Sequence, residues 1–143
     1  MTEWQRIIWG SIFTIFGGVI VFAIGQLLNE LRLKPYLRYK AIIAEIDEEL
    51  IYFSNIYSNA GQFCIDHKEA CLPANERLRR LGSKLSAVYN QVRWLESTGD
   101  IIGKSELDEV VGCLIGLSNG LWNSEAIEHN LRRSESIRKI LKL

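Results

Sequence analysis

The chain opens with a long uncharged stretch, and a periodic pattern of apolar and polar residues follows it. The stretch runs from Ile7 to Leu28, has 22 residues and contains no Asp, Glu, Lys or Arg. About 20 apolar helical residues cross the hydrocarbon core of a bilayer. The few polar positions are scattered around the helix, which argues against a surface helix of a soluble domain. The pattern predicts a tail at residues 1–6 and a transmembrane helix at residues 7–28.

A cleaved export signal is the alternative for this stretch. Ala23-Ile24-Gly25 places small residues two apart before Gln26, as cleavage sites do. The flanking charges favour a retained anchor, because Arg6 is the one basic side chain ahead of the stretch. Four follow it within a dozen positions, namely Arg32, Lys34, Arg38 and Lys40. The more basic flank stays in the cytoplasm, so we expect the N-terminus outside and the C-terminal domain in the cytoplasm.

Beyond Leu28, apolar residues recur at the three- and four-residue steps of a helix. Four helices are predicted, from Pro35 to near Asn59, about Pro73 to Glu96, Ser105 to Trp122 and about Ser124 to Lys142. Ser105 and Asp108 resemble a capping arrangement at the start of the third helix. We therefore expect an all-α fold, in which the N-terminal transmembrane helix precedes a small antiparallel helical bundle at residues 29–143.

Three of these helices carry a defined apolar set. In the first helix the set is Tyr39, Ile43, Ile46, Leu50, Phe53 and Tyr57. In the second it is Leu78, Leu81, Leu85, Val88, Val92 and Leu95, and in the fourth Ile127, Leu131, Ile137, Ile140 and Leu141. Heptad steps in the first two helices also suit an intermolecular coiled coil. Further apolar residues widen the first stripe, which favours packing inside a bundle: Ile42, Ile51, Tyr52 and Ile56.

Charge and motif content exclude several classes of function. The chain has 17 basic and 17 acidic residues, and no global field would attract nucleic acid. We find no phosphate-binding glycine loop, GxSxG, HExxH or paired CxxC motif. We therefore expect that the protein is not an enzyme and that it binds neither nucleic acid nor a cofactor.

Two clusters contain metal-ligand residue types, and neither offers a complete set of ligands. Glu45, Glu48 and Glu49 share a helical neighbourhood and suit a hard cation, but with Lys40 nearby and no further ligand we expect a solvated acidic face. Four residues of the loop between the first two helices suit zinc, namely Cys64, Asp66, His67 and Cys71. Structural zinc takes four ligands from two close pairs, and only Cys64 and His67 form such a pair; Asp66, Cys113 or His129 would have to complete it.

The number of cysteines bears on their redox state. The chain contains three cysteines, Cys64, Cys71 and Cys113. An odd number in a domain assigned to the reducing cytoplasm predicts free thiols.

Small residues form two regular patterns. In the span, Gly10, Thr14 and Gly18 recur every four residues, and Ser11, Gly18 and Gly25 recur every seven. Such a face lets membrane helices approach closely, so we predict a homo-oligomer; the alternative is that glycine is common in membrane helices.

Glycines at 112, 116 and 120 recur every four residues in the third predicted helix. Each costs roughly 0.8–1 kcal/mol relative to alanine, which calls for a packing or binding reason. We expect close packing against an aromatic neighbour, for instance Tyr52, Phe53 or Tyr89. A surface that a ligand approaches is the alternative.

Five polar or aromatic residues are candidates for a ligand or partner surface: Tyr52, Asn55, Asn59, Ser118 and Asn119. The alternative is that they cap helices and form buried hydrogen bonds.

The apolar N-terminal segment and three short stretches, LKPYLRYK, YFSNIYSN and IGLSN, resemble a set of small single-pass membrane proteins of bacteria. The resemblance implies the bacterial inner membrane and assigns no site residue. Two function classes follow from the sequence: an interaction or effector module with a cytoplasmic protein or small-ligand partner, or a passive anchor or scaffold for a cytoplasmic protein.

Overall fold

The structure, a computed structural model, describes residues 3–143 except for the side chain of Gln62. Met1 and Thr2, which belong to the predicted tail, lie outside the described residues. The described residues form seven α-helices: α1 (Glu3–Leu28), α2 (Lys34–Tyr52), α3 (Ser54–Ser58), α4 (Gln62–Asp66), α5 (Lys68–Val92), α6 (Lys104–Gly120) and α7 (Ile127–Leu141). A π-helical segment at Asn29–Leu33 and 3-10 turns at Arg93–Thr98 and Ser124–Ala126 complete the regular structure. No strand occurs in the described residues, so the prediction of an all-α fold is confirmed.

The chain forms two compact units, divided between Tyr36 and Leu37. The first unit contains α1, which has 26 residues and no buried side chain. Within residues 3–143, the helical stretch Glu3–Tyr52 is the one long and apolar enough to cross a membrane, with a mean hydropathy of 2.3 in its most apolar window. The predicted apolar helix is therefore present and begins at Glu3, inside the predicted tail.

The core of the second unit is built from the stripes of α2 and α5. On the first stripe the predicted residues are buried with one exception, since Ile42 is buried and Ile43 only half-buried. All six predicted residues of the second stripe are buried, from Leu78 to Leu95. α6 packs against both α5 and α7.

The apolar set of α7 was predicted less well. Leu131 is 41% exposed, whereas Asn130 is completely buried. Ser134 is buried as well. The prediction failed here because hydropathy places Asn outside the core, although a buried amide is stable when its hydrogen bonds are made.

Three helix boundaries differ from the prediction. The first predicted helix is interrupted at Phe53, and α3 begins at Ser54. α5 begins at Lys68, so Pro73 lies inside the helix and not at its start. α6 is capped at Gly103, whose N–H donates to the Glu106 carboxylate at 2.8 Å. Gly103 and Glu106 have the same three-residue spacing as Ser105 and Asp108. The spacing alone therefore could not show which pair caps the helix.

Candidate functional site

A disulfide bond joins Cys64 and Cys71, and it corrects the prediction of free thiols. Their Cα atoms are 5.5 Å apart, and both residues are fully buried. The helical turn of α4 and the start of α5 bring them together across six intervening residues. Among the cysteines, Cys113 on α6 is free and half-buried. Burial, aided by the Glu109 carboxylate, raises the pKa of the Cys113 thiol, so it is a weak nucleophile at neutral pH.

The residues weighed for zinc do not form a cluster of ligands. Both sulfur atoms of the only close cysteine pair are used by the disulfide. Within residues 3–143, no group of three or more His, Cys, Asp and Glu side chains converges as metal ligands would.

A groove of about 730 Å³ lies where the end of α2 and the start of α3 face the start of α5. We call it the Tyr52 groove. Its lining includes Tyr52 and Asn55, two residues of the predicted surface, and four charged residues: Glu48, Glu49, Glu69 and Arg77. The Tyr52 side chain is 75% exposed, and its ring packs edge-on against Phe53 with centroids 4.9 Å apart.

The charges in the Tyr52 groove are unbalanced. Glu49 is buried and forms an ion pair with Arg77, which joins α2 to α5. Glu48 and Glu69 are exposed, and neither side chain forms a hydrogen bond or an ion pair with another described residue. One arginine thus faces three carboxylates, so the groove presents a negative surface.

The other three residues of the predicted surface do not line this groove. Ser118 is fully buried, and the Asn75 amide donates to its carbonyl at 2.8 Å and its hydroxyl at 3.2 Å. The Asn119 side-chain oxygen accepts from Arg79 at 3.1 Å. The Asn59 amide donates to the Asn55 carbonyl at 2.8 Å. These bonds join α5 to α6 and close the end of α3.

The glycines of α6 pack closely against polar side chains of α7. An ideal Cβ at Gly116 would lie 2.6 Å from Nε of Arg133, and one at Gly120 would lie 2.2 Å from Oδ1 of Asn130. Gly112 has open space around it. Close packing was therefore predicted correctly at two positions, but the aromatic neighbour was wrong. Sequence reasoning missed Asn130 and Arg133. The one signal available was that these two polar residues lie three apart on the helix that follows the glycine pattern.

A tyrosine–glutamate pair connects the end of α5 to the start of α6. The buried Tyr89 hydroxyl donates to Glu96 at 2.8 Å. Burial and this hydrogen bond raise the pKa of Tyr89 to about 12. The Tyr89 bond and a second bond from the Lys104 backbone N–H lower the pKa of the Glu96 carboxyl. The pair therefore holds one proton over a wide range of pH.

The small residues of α1 leave an open helix face. A Cβ added at Gly10, Gly18 or Gly25 would have no atom within 4 Å. The hydroxyls of Ser11 and Thr14 donate to the carbonyls of Ile7 and Gly10, each at 2.9 Å. Those two polar groups thus have hydrogen-bond partners within the helix.

Comparison with known proteins identifies no relative of this chain. No protein-family model matches it, and no curated protein or solved structure does. Function is therefore inferred from three features of the chain itself: the exposed apolar helix α1, the negative Tyr52 groove and the disulfide beside it.

Proposed function

We propose that this protein is a single-pass protein of the bacterial inner membrane whose helical domain, an antiparallel bundle, binds a partner protein in the cytoplasm. One observation carries the membrane assignment: α1 has 26 residues and none is buried. Burying a large apolar side chain contributes about 1.5–3 kcal/mol, so α1 needs lipid or another apolar surface around it. A bilayer covers all sides of a helix at once.

The basic residues around α1 set its orientation. Arg6 precedes the apolar stretch and four basic residues follow it, Arg32 to Lys40. Under the positive-inside rule this places the domain at residues 37–143 in the cytoplasm. A reporter fused after Leu143 tests the orientation, because a fusion active only in the periplasm would contradict it.

Self-association through α1 belongs to the same proposal. Gly10, Gly18 and Gly25 have no neighbouring atom where a side chain would begin. Two such helices can therefore approach closely and gain van der Waals contact, which drives association where lipid is as apolar as the side chains.

The Tyr52 groove is the proposed docking site, and its occupant is a basic segment of a partner protein. Glu48 and Glu69 supply carboxylates without an internal partner. The exposed Tyr52 ring offers a face for a lysine or arginine side chain, a contact that contributes about 0.5–1 kcal/mol at an exposed site. Asn55 adds an amide that can donate and accept.

Titration of the full chain in lipid nanodiscs with an oligolysine peptide tests this docking site. We expect the double variant Glu48→Gln, Glu69→Gln to bind roughly two- to thirtyfold more weakly, because each of two exposed ion pairs contributes about 0.2–1 kcal/mol. Glu135→Gln is the matched control, since Glu135 is exposed on α7 and does not line the groove. Equal binding by all three proteins would instead favour a passive anchor.

A further inference from the structure

We propose that Cys64 and Cys71 form a redox-responsive pair that controls how tightly the Tyr52 groove binds its basic partner. This inference rests on the proposed function of the groove and names its regulation. The regulation consists of forming and breaking the Cys64–Cys71 disulfide in the cytoplasm.

The disulfide constrains one wall of the groove. Glu69 and Ala70 both line the groove, and both lie between the two bonded cysteines. Of the carboxylates that line the groove, Glu69 is one of two whose side chains have no partner among the described residues. The bond therefore restricts where that carboxylate can lie.

Glu69 and Ala70 lie in the first turn of α5, and the helix that precedes this turn is short. α4 has only five residues, and no side chain caps its N-terminus. Helices this short are marginal in water. All six residues between the cysteines are exposed, and the ring contact of Phe63 with His67 is local, at 4.9 Å. The opposite wall is fixed, because Leu50 and Phe53 of the α2–α3 junction are buried.

The compartment makes the bond reversible. With the domain in the cytoplasm, the cellular thiol pool keeps most cysteines reduced, and disulfides that do form there are usually transient or redox-sensing. Both sulfurs are buried, so exchange requires a local opening of the segment at residues 62–70.

The reaction is thiol–disulfide exchange with a low-molecular-weight disulfide. One cysteine thiolate attacks that disulfide, which forms a mixed disulfide and releases one small thiol. The second cysteine thiolate then attacks the protein sulfur of the mixed disulfide and displaces the second small thiol. The protein loses two protons and two electrons, and the small disulfide is reduced to two thiols. An excess of small thiol reverses both steps.

The test compares oxidised and reduced full-length protein in lipid nanodiscs, in a Cys113→Ser background. We expect reduction to weaken oligolysine binding about threefold, the value of one exposed carboxylate contact, and reoxidation to restore it. The double variant Cys64→Ala, Cys71→Ala should bind as the reduced form does under both conditions. Its far-ultraviolet circular dichroism must match that of the parent. If it does not fold, the reversible response of the parent alone decides the question.

Alkylation of thiols in intact cells, read as a mass shift, reports the state of the pair independently. We expect Cys64 and Cys71 to be alkylated in unstressed cells and protected after treatment with diamide. A disulfide present in unstressed cells would overturn the proposal and indicate a permanent bond. Binding that does not change on reduction would overturn redox control while leaving the docking site intact. Absence of oligolysine binding in both states would overturn the docking site and its regulation together.

Discussion

Asn130 is a fully buried polar residue whose amide joins three segments of the domain. Its Nδ2 donates to the Gly120 carbonyl at 3.2 Å and the Tyr57 carbonyl at 3.4 Å, and its Oδ1 accepts from Arg133 at 3.3 Å. A buried amide without these bonds would cost about 1–3 kcal/mol. The close approach that makes them possible requires a residue without a Cβ at position 120.

Replacing Gly120 with alanine should therefore destabilise the domain. The new Cβ would lie 2.2 Å from Oδ1 of Asn130 and 2.9 Å from its Cγ. Overpacking and a displaced hydrogen bond together predict a loss of about 2–4 kcal/mol in the free energy of unfolding. Urea unfolding of the full chain in a mild detergent, followed by circular dichroism, measures this loss.

Gly112→Ala in the same helix is the matched control. Gly112 is exposed, and an added Cβ meets no atom within 4 Å. Alanine at a helix interior gains roughly 0.5–1 kcal/mol over glycine, so this variant should be slightly more stable than the parent. If Gly120→Ala is as stable as Gly112→Ala, the proposed contact between α6 and Asn130 is wrong.

The Tyr89–Glu96 pair predicts how stability depends on pH. The pKa of Tyr89 is raised to about 12 in the folded protein. Its contribution to the free energy of unfolding is therefore complete at any pH below the unfolded pKa of about 10. It is lost as pH rises from there through the folded value. The pKa of Glu96 is lowered, so its contribution to stability is complete above the ordinary glutamate value of 4.5 and is lost as pH falls below it. The free energy of unfolding, measured from acidic to alkaline pH, should therefore stay constant between these two pH limits.

Tyr89→Phe should remove most of the alkaline decline. Phenylalanine does not ionise, so the unfolded state no longer gains from losing the phenol proton. At neutral pH the variant should lose about 1 kcal/mol, the net value of one hydrogen bond. An unchanged alkaline decline in the variant would assign the effect to another group.

At the scale of whole elements, sequence pattern predicted the long helices well and the connections poorly. All six apolar positions of the second predicted helix are buried. A regular apolar stripe lies on one face of a helix, and that face packs against the core. α3 and α4 were missed, since five residues are too few to show a period. The disulfide was missed because the odd number of cysteines and the cytoplasmic assignment predicted free thiols. The pairing also depends on how the chain turns into α4 at Gly61. Gly61 has φ of 85° and lies against Ser124.

The connection between α4 and α5 should depend on its disulfide for stability. The cysteines are seven residues apart in sequence. Closing a loop of about eight residues removes chain entropy from the unfolded state worth roughly 2.5 kcal/mol. Reduction should lower the free energy of unfolding by about that amount, as measured in urea with and without reductant. Cys113→Ser should respond to the reductant as the parent does, whereas Cys64→Ala with Cys71→Ala should not respond at all.

For the whole molecule, the sequence indicated the apolar helix and the all-α domain, whereas two of the five candidate surface residues line one groove and three do not. Tyr52 and Asn55 line one groove, because they lie three residues apart at the junction of α2 and α3. Ser118 is buried, and its hydroxyl accepts from Asn75 of α5, as the alternative of buried hydrogen bonding predicts. A partner 43 residues away in sequence leaves no local pattern to read.

Self-association of the whole protein should depend on Gly18, the residue common to the four-step and seven-step patterns of α1. Nothing in the described chain lies within 4 Å of a Cβ at this position, so Gly18→Leu fits the monomer without strain. Leucine also favours insertion by about 0.3–0.6 kcal/mol, so the amount of protein in the membrane should hold. Its bulk blocks close approach of two helices, and crosslinking between copies in the membrane should therefore fall. Ile20→Leu is the control, because it changes the shape of a side chain on the same helix without filling the glycine face. If Gly18→Leu crosslinks as strongly as Ile20→Leu, the glycine face does not mediate self-association.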